Sequence, residues 1–225
     1  QKGSSDQIAE ATIFFSGENK WRTFGQWPPA NISVERMVIN ANKKLSITAD
    51  SMVSYPAHHE YLSDPNHPVP YNEGIHDDRT TEYMTDDQRF ASRRPDVLTF
   101  EMDALTEDLT LAGPVIADLV TSITGTDADF VVKLIDVFPD DFAYADSVKG
   151  NGKGYPMGGY QMLVRAEIMR GKFRDDLSKP VPFEPNKPTH VKFELPDVAH
   201  TFKKGHRLLI QVQSSWFPLV DRNPQ

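Results

Sequence analysis

The chain has 225 residues, a formal charge of −8 and an apolar fraction of 39%. That is enough apolar material for a core, and the acidic balance argues against a nucleic-acid binder, which needs a basic face. Cysteine is absent, which excludes disulfides, thiolate metal sites and cysteine nucleophiles together.

No apolar run reaches the length of a membrane span, and Gln1 to Ser5 carry neither a Met nor an apolar leader, so the chain reads as a mature product or a fragment. In chain order, the hydrophobic pattern predicts strands over Ala11 to Phe15, Ser33 to Asn40, Lys44 to Thr48, Val97 to Met102 and Leu109 to Ala112. Further strands are predicted over Val115 to Ser122, Phe130 to Phe138, Gln161 to Met169, His190 to Leu195 and Arg207 to Ser214. Leu119 to Asp129 has some helical character, but Thr121, Ser122, Thr124 and Gly125 favour strand then turn. The pattern is all-β, and so many short strands point to a two-sheet sandwich or jelly roll rather than a parallel sheet with covering helices. The run from Phe130 to Phe138 is apolar except for Lys133 and Asp136, as expected of a strand buried by a facing sheet.

Two long irregular stretches separate the strands. Ser51 to Pro95 holds Pro56, Pro65, Pro68, Pro70 and Pro95, and Asp140 to Tyr160 holds five glycines. Loops of this length in a compact domain are functional or cover a neighbouring surface.

No nucleophile elbow, zinc-protease helix, P-loop or dinucleotide fingerprint is present. Gly150 to Gly154 is glycine-rich like a phosphate cradle, but no helix follows it to hold an anion, so it reads as loop. His58, His59, His67 and His76 lie near Glu60, Asp64, Asp77 and Asp78, a composition that could ligate zinc, yet the spacings follow no ligand pattern. No metal or cofactor is expected. The pairs Asp77-Asp78, Asp86-Asp87, Asp140-Asp141 and Asp175-Asp176 are adjacent rather than opposed across a cleft, so turns and solvation explain them better than glycosidase chemistry. Trp21, Phe24, Trp27, Trp216 and Phe217 would form a sugar platform if exposed on one face, which keeps a free-standing carbohydrate-binding module open as the alternative function.

The segment from Arg93 to Asp141, then TFKKGHRL (Thr201 to Leu208) and SSWFPLVDRNPQ (Ser214 to Gln225), resembles the C-terminal jelly-roll domain of the X-Pro dipeptidyl-peptidase and cocaine-esterase (CocE/NonD) serine hydrolases. Within that group the likeness is to α-amino-acid ester hydrolases and glutaryl-7-aminocephalosporanic-acid acylases. FFSGENKWRTFGQWPP (Phe14 to Pro29), YLSDPNHPVPY (Tyr61 to Tyr71) and EYMTDDQRF (Glu82 to Phe90) extend it over nearly the whole chain. The resemblance implies a galactose-binding-domain-like sandwich of one domain. Residues 1–50 would be leading strands joined to an absent α/β-hydrolase domain, 51–95 a loop toward the active site, and 96–225 the remaining sandwich, truncated at both ends.

It further implies a non-catalytic accessory domain whose parent carries a Ser, Asp and His triad outside this chain, acting as scaffold and wall of the substrate pocket. Its partners would be the α/β and cap domains, with a homo-oligomer contact open and neither nucleic acid nor membrane bound. Family members of this type are often exported to the bacterial periplasm. By matching Pro68-Val69-Pro70 and Asp87-Gln88-Arg89 to the family's elements, the resemblance places Tyr71, His76, Tyr83 and Met84 at the pocket rim, or in plain packing against the neighbouring domain. Asp221 and Arg222, a charged pair in an apolar run, are expected to be structural, with Arg222 held by a carboxylate or by loop carbonyls.

Overall fold

The computed structural model describes residues 8–47, 58–74, 76, 80–142 and 157–223. Its strands are β1 (Ala11–Phe15), β2 (Lys20–Phe24), β3 (Met37–Ile39), β4 (Leu45–Ile47), β5 (Val97–Glu101), β6 (Leu109–Thr121), β7 (Asp129–Val137), β8 (Gln161–Arg170), β9 (Thr189–Phe202) and β10 (Arg207–Gln213). Helix among the described residues is limited to the short α1 (Arg89–Ser92) and single 3-10 turns at Glu82–Met84 and Gly171–Phe173.

A four-stranded antiparallel sheet in the order β5-β10-β7-β8 faces the long β6-β9 pair, which makes a β-sandwich. Alternation along the strands sends one set of side chains between the layers. Phe100 from β5, Ala117 from β6, Phe130, Val132 and Leu134 from β7, Val191, Phe193, Leu195, Val198 and Phe202 from β9, and Leu208 and Val212 from β10 form that core. Burial of each such side chain contributes about 1.5–3 kcal/mol.

β6 runs unbroken through Gly113 and Pro114, where the sequence pattern splits it in two. The register slips between Gly113 and Val115, and Pro196 lies in the matching stretch of β9. A proline has no N–H to give a ladder, so an irregularity in which both prolines sit lets each strand continue past the break. Gly113, at φ +109°, bends there with Pro28 packed against it. For the same reason β9 reaches Phe202 rather than ending at Leu195. The segment from Ser122 to Ala128 is turn and coil rather than helix.

β2 is an element the hydrophobic pattern does not reveal. It forms a hairpin with β1 in which Phe15 faces the body, and Phe24 and Trp27 pack on it at ring distances of 5.9 and 6.2 Å. Beyond β1, Ser16 continues against β9 through backbone bonds with Ala199 and Thr201.

β7 is buried on both faces. Its even-numbered side chains from Phe130 to Leu134 enter the core, while Val131, Lys133, Ile135 and Val137 lie beneath a third layer of irregular chain. That layer is made by parts of 61–95 and by the tail after β10. Tyr71 N–H donates to Phe217 O and Phe217 N–H to Val69 O, so segment and tail pair in parallel.

Candidate functional site

The outer layer takes its shape from a charge placed in the most apolar strand. Lys133 is fully buried, and its Nζ donates to Gln88 Oε1 at 2.9 Å. The Nζ also lies 5.0 Å from the centre of the Trp216 ring, close enough for a cation–π attraction when the amine is protonated. Burial pushes the Lys133 amine down to about 7.

Gln88 is the hub on the loop side. Its Nε2 donates to Asp86 O, its N–H to Gln161 O, and its own carbonyl accepts from Gln211 Nε2. On either side, Asp87 accepts from the Arg89 N–H and guanidinium and from the Gln161 N–H. Asp87-Gln88-Arg89 is thus a clasp that ties the start of α1 to β7, β8 and β10.

Above this clasp, Tyr71, Tyr83 and Trp216 pack in series, the first pair tilted and the second edge-on, with ring centres 5.5 and 6.1 Å apart. Tyr71 is buried, and its hydroxyl accepts from the Thr80 N–H at 2.8 Å. Tyr83 is half-buried, whereas Met84 is 52% exposed on the same 3-10 turn. His76 is exposed, with Nε2 donating to Glu73 O. The four residues expected at the rim therefore share one loop, with the two tyrosines facing the sheet and Met84 and His76 facing outward.

Asp221 and Arg222 lie at the tail and do not pair with each other. Asp221 accepts from Arg170, which also forks onto the buried Asp129, and Asn223 adds a third donor to Asp129. Arg222 donates to Pro65 O at 2.9 Å and lies over the Phe217 ring. A shallow cleft of about 420 Å³ runs between Pro65, Asn66, Phe217, Asp221 and Arg222.

The loop histidines are dispersed. His59 bonds Asn40 O and packs on Phe100, His67 pairs with Asp64, and His58 lies 3.9 Å from Glu60. Among the described residues no group of three or more His, Asp or Glu side chains could hold a metal ion. Asp77, Asp78 and Gly150 to Gly154 lie outside the described residues. Asp140 and Asp141 sit in the turn after β7, and Asp176 caps the turn at Ser178. The five aromatics do not form one platform, because Trp21 faces outward while Phe24 and Trp27 pack together and Trp216 is buried.

One arrangement is missed by sequence reasoning altogether. Ser16 Oγ lies 2.8 Å from His200 Nδ1, His200 Nε2 lies 3.1 Å from Asp136 Oδ2, and His206 Nδ1 lies 2.8 Å from Asp136 Oδ1. A carboxylate only accepts, so His200 Nε2 and His206 Nδ1 donate to Asp136, and the Ser16 hydroxyl also lies within 3.3 Å of the Ala199 carbonyl, which accepts from it. Burial alone raises the Asp136 carboxyl, but hydrogen bonds from His200 and His206 hold it below its ordinary value. The order of groups is that of an acyl-transfer triad, but the setting is not. His200 and Asp136 are buried, and the Ser16 N–H, which an oxyanion would need, is spent on Ala199 O. These groups lock the hairpin to the sandwich. The only hint in the sequence was two histidines flanking a turn opposite a strand with an internal Asp.

Comparison with known proteins decides the family. Residues 6–225 match the X-Pro dipeptidyl-peptidase C-terminal non-catalytic domain. The chain belongs to that family. It is 28% identical over 231 residues to cocaine esterase from Rhodococcus sp. (strain MB1 Bresler), a match covering 99% of this chain and 37% of the relative. Among solved structures it is similar to an α-amino acid ester hydrolase, at 42% identity and a TM-score of 0.83 over 95% of this chain and 35% of that one. An aminopeptidase from the marine sediment archaeon Thaumarchaeota archaeon gives 38% identity and a TM-score of 0.83, covering 97% of this chain and 35% of that one. The chain thus spans little more than a third of each of these relatives. The family is described as a non-catalytic domain, and these relatives are named as an esterase, an ester hydrolase and an aminopeptidase.

Proposed function

We propose that this PepX_C domain serves a serine ester or amide hydrolase as scaffold and as one wall of the substrate pocket, with the acyl-transfer triad and oxyanion hole carried outside this chain. The observation that carries the reading is the clasped loop. Tyr71, Tyr83 and Trp216 pack over the buried Lys133 and Gln88, and Met84 is presented outward from a firmly held turn. A loop that contributed only surface would not need a buried lysine and three packed rings beneath it. Met84, Tyr83, His76 and Tyr71 form the rim, with Met84 and His76 as the side chains that meet substrate and the tyrosines as their support. Met is suited to this because its flexible thioether fits acyl groups of different shape.

Met84→Glu in the enzyme that carries this domain tests the rim. The side chain is exposed, so folding is unaffected, while kcat/KM for a bulky apolar acyl ester falls roughly ten-fold relative to a small one, the size of a lost apolar contact. An unchanged ratio removes Met84 from the pocket. For the non-catalytic role of the chain itself, a fluorophosphonate probe leaves Ser16 unlabelled and p-nitrophenyl acetate is not turned over. A labelled Ser16 would overturn that role.

A further inference from the structure

We infer that the outward face of the β1–β2 hairpin, centred on Phe14 and Trp21, is the surface on which the catalytic portion of the enzyme seats; this deepens the accessory-domain reading and rests on it. Phe14 and Trp21 are direct cross-strand partners with ring centres 5.3 Å apart, and they are 42% and 70% exposed. Among the described residues this is the one paired set of rings in which both members are exposed; the other exposed apolar side chains, such as Val34, Leu62 and Leu177, belong to no such pair. Scattered single apolar residues are ordinary on a surface, whereas a solvent-facing aromatic pair is the composition of an interface centre.

The surroundings fit an interface as well. Thr12 pairs with Thr23 on the same face, while Glu18 in the turn holds Arg22 on the reverse face, over the Phe15 ring. The reverse face is fixed, since Phe15 is buried against Phe24 and Trp27, the Trp27 indole donates to Asp197, and Ser16 is tied to His200. The aromatic pair therefore rides on an arm that is already oriented, which lowers the ordering cost of docking.

The occupant follows from the order of parts. In a family described as a C-terminal domain the catalytic portion precedes it, so the first hairpin is the element nearest the junction. In the relatives that other portion is nearly two-thirds of the chain, since this domain covers 35–37% of each. A sugar is a poor occupant, because the two rings are inclined at 60° and offer no flat platform.

Hydroxyl-radical footprinting read by mass spectrometry, on this chain alone and on the same chain joined to its catalytic portion, tests the inference. Trp21 modification is expected to fall roughly five- to ten-fold on joining, from a mostly exposed ring to one in an interface core, while Val120 and Leu177 stay unchanged. Trp21 labelled equally in both forms while Met84 becomes protected would overturn this docking face and leave the accessory-domain reading standing. Protection of neither would overturn both. Protection of Trp21 that appears in the chain alone as its concentration rises would assign the face to a second copy and overturn the inference.

Discussion

Lys133→Met isolates the electrostatic burden of the outer layer. Methionine has similar volume and reach, so the space beneath Trp216 and Phe90 stays filled. In the folded protein burial lowers the amine from 10.5 to about 7. Between those values the unfolded chain holds a proton that the folded chain does not, so folding releases a proton and stability rises with pH. The penalty is zero above about 10.5 and complete below about 7. Integrated over the window, it amounts to about 4 kcal/mol at pH 7 and about 2 kcal/mol at pH 9. The native chain should therefore gain about 2 kcal/mol of stability between pH 7 and pH 9 that the Met variant lacks. Against this, the variant leaves Gln88 Oε1 buried without its donor, which costs about 1–3 kcal/mol at every pH and shifts the whole curve without changing its slope. The assay is urea unfolding followed by tryptophan fluorescence and circular dichroism at pH 7, 8 and 9, with the slope difference between the two chains as the readout. Parallel curves would refute the reasoning, since they would mean that Lys133 keeps its proton in the folded state.

The Ser16 junction and the histidine pair give two further expectations. In Gly17→Ala the new Cβ would stand 2.0 Å from the Thr201 carbonyl oxygen at φ +78°, so the hairpin must shift at a cost of about 2–4 kcal/mol. A calorimetric melting temperature within a degree of the native value would show that the hairpin is not held against β9. Asp136→Asn removes a carboxylate whose folded-state value is held below the ordinary one, so the stability it supplies is present above about pH 4 and fades as pH falls through the lower, folded value. The variant loses about 3 kcal/mol at pH 7 because His200 and His206 lose their shared acceptor, and its stability declines less steeply on acidification. An acid-unfolding profile that merely shifts, with no change of steepness, would count against this assignment.

The sandwich was legible where the pattern was strong. Phe130 to Phe138 reads as a buried strand and is one, and Ala11 to Phe15 has the bounds that alternation predicts. β2 was hidden because Lys20, Trp21, Arg22, Thr23 and Phe24 show no clean polar–apolar contrast: its outward face carries an indole and its other face an arginine. The turn that makes it a hairpin depends on Gly17 and Asn19 at positive φ, conformations that the residue types permit without announcing. Pro114 and Pro196 read as stops, yet they sit together at one irregularity, and only pairing between distant strands makes that tolerable. Lys133 looked like a tolerated interruption. Its meaning depends on Gln88 and Trp216, 45 residues before it and 83 after it, and an irregular covering layer has no periodicity from which such neighbours can be read. The rim residues were reached through resemblance, and their division into supporting tyrosines and outward Met84 and His76 became visible only with the loop in place.

The parallel pairing of Val69 and Tyr71 with Phe217 closes a ring of chain about two-thirds as long as the domain. Through it, the position of the loop that carries Tyr71 is referred to the tail of the fold rather than to its own flanks. Loosening Asp221, Arg222 or Asn223 would release Phe217, then the strand edge at 69–71, and with it the seating of Tyr71 against Tyr83. If the proposed pocket wall holds, damage to the tail would be felt as altered substrate selectivity before it was felt as unfolding.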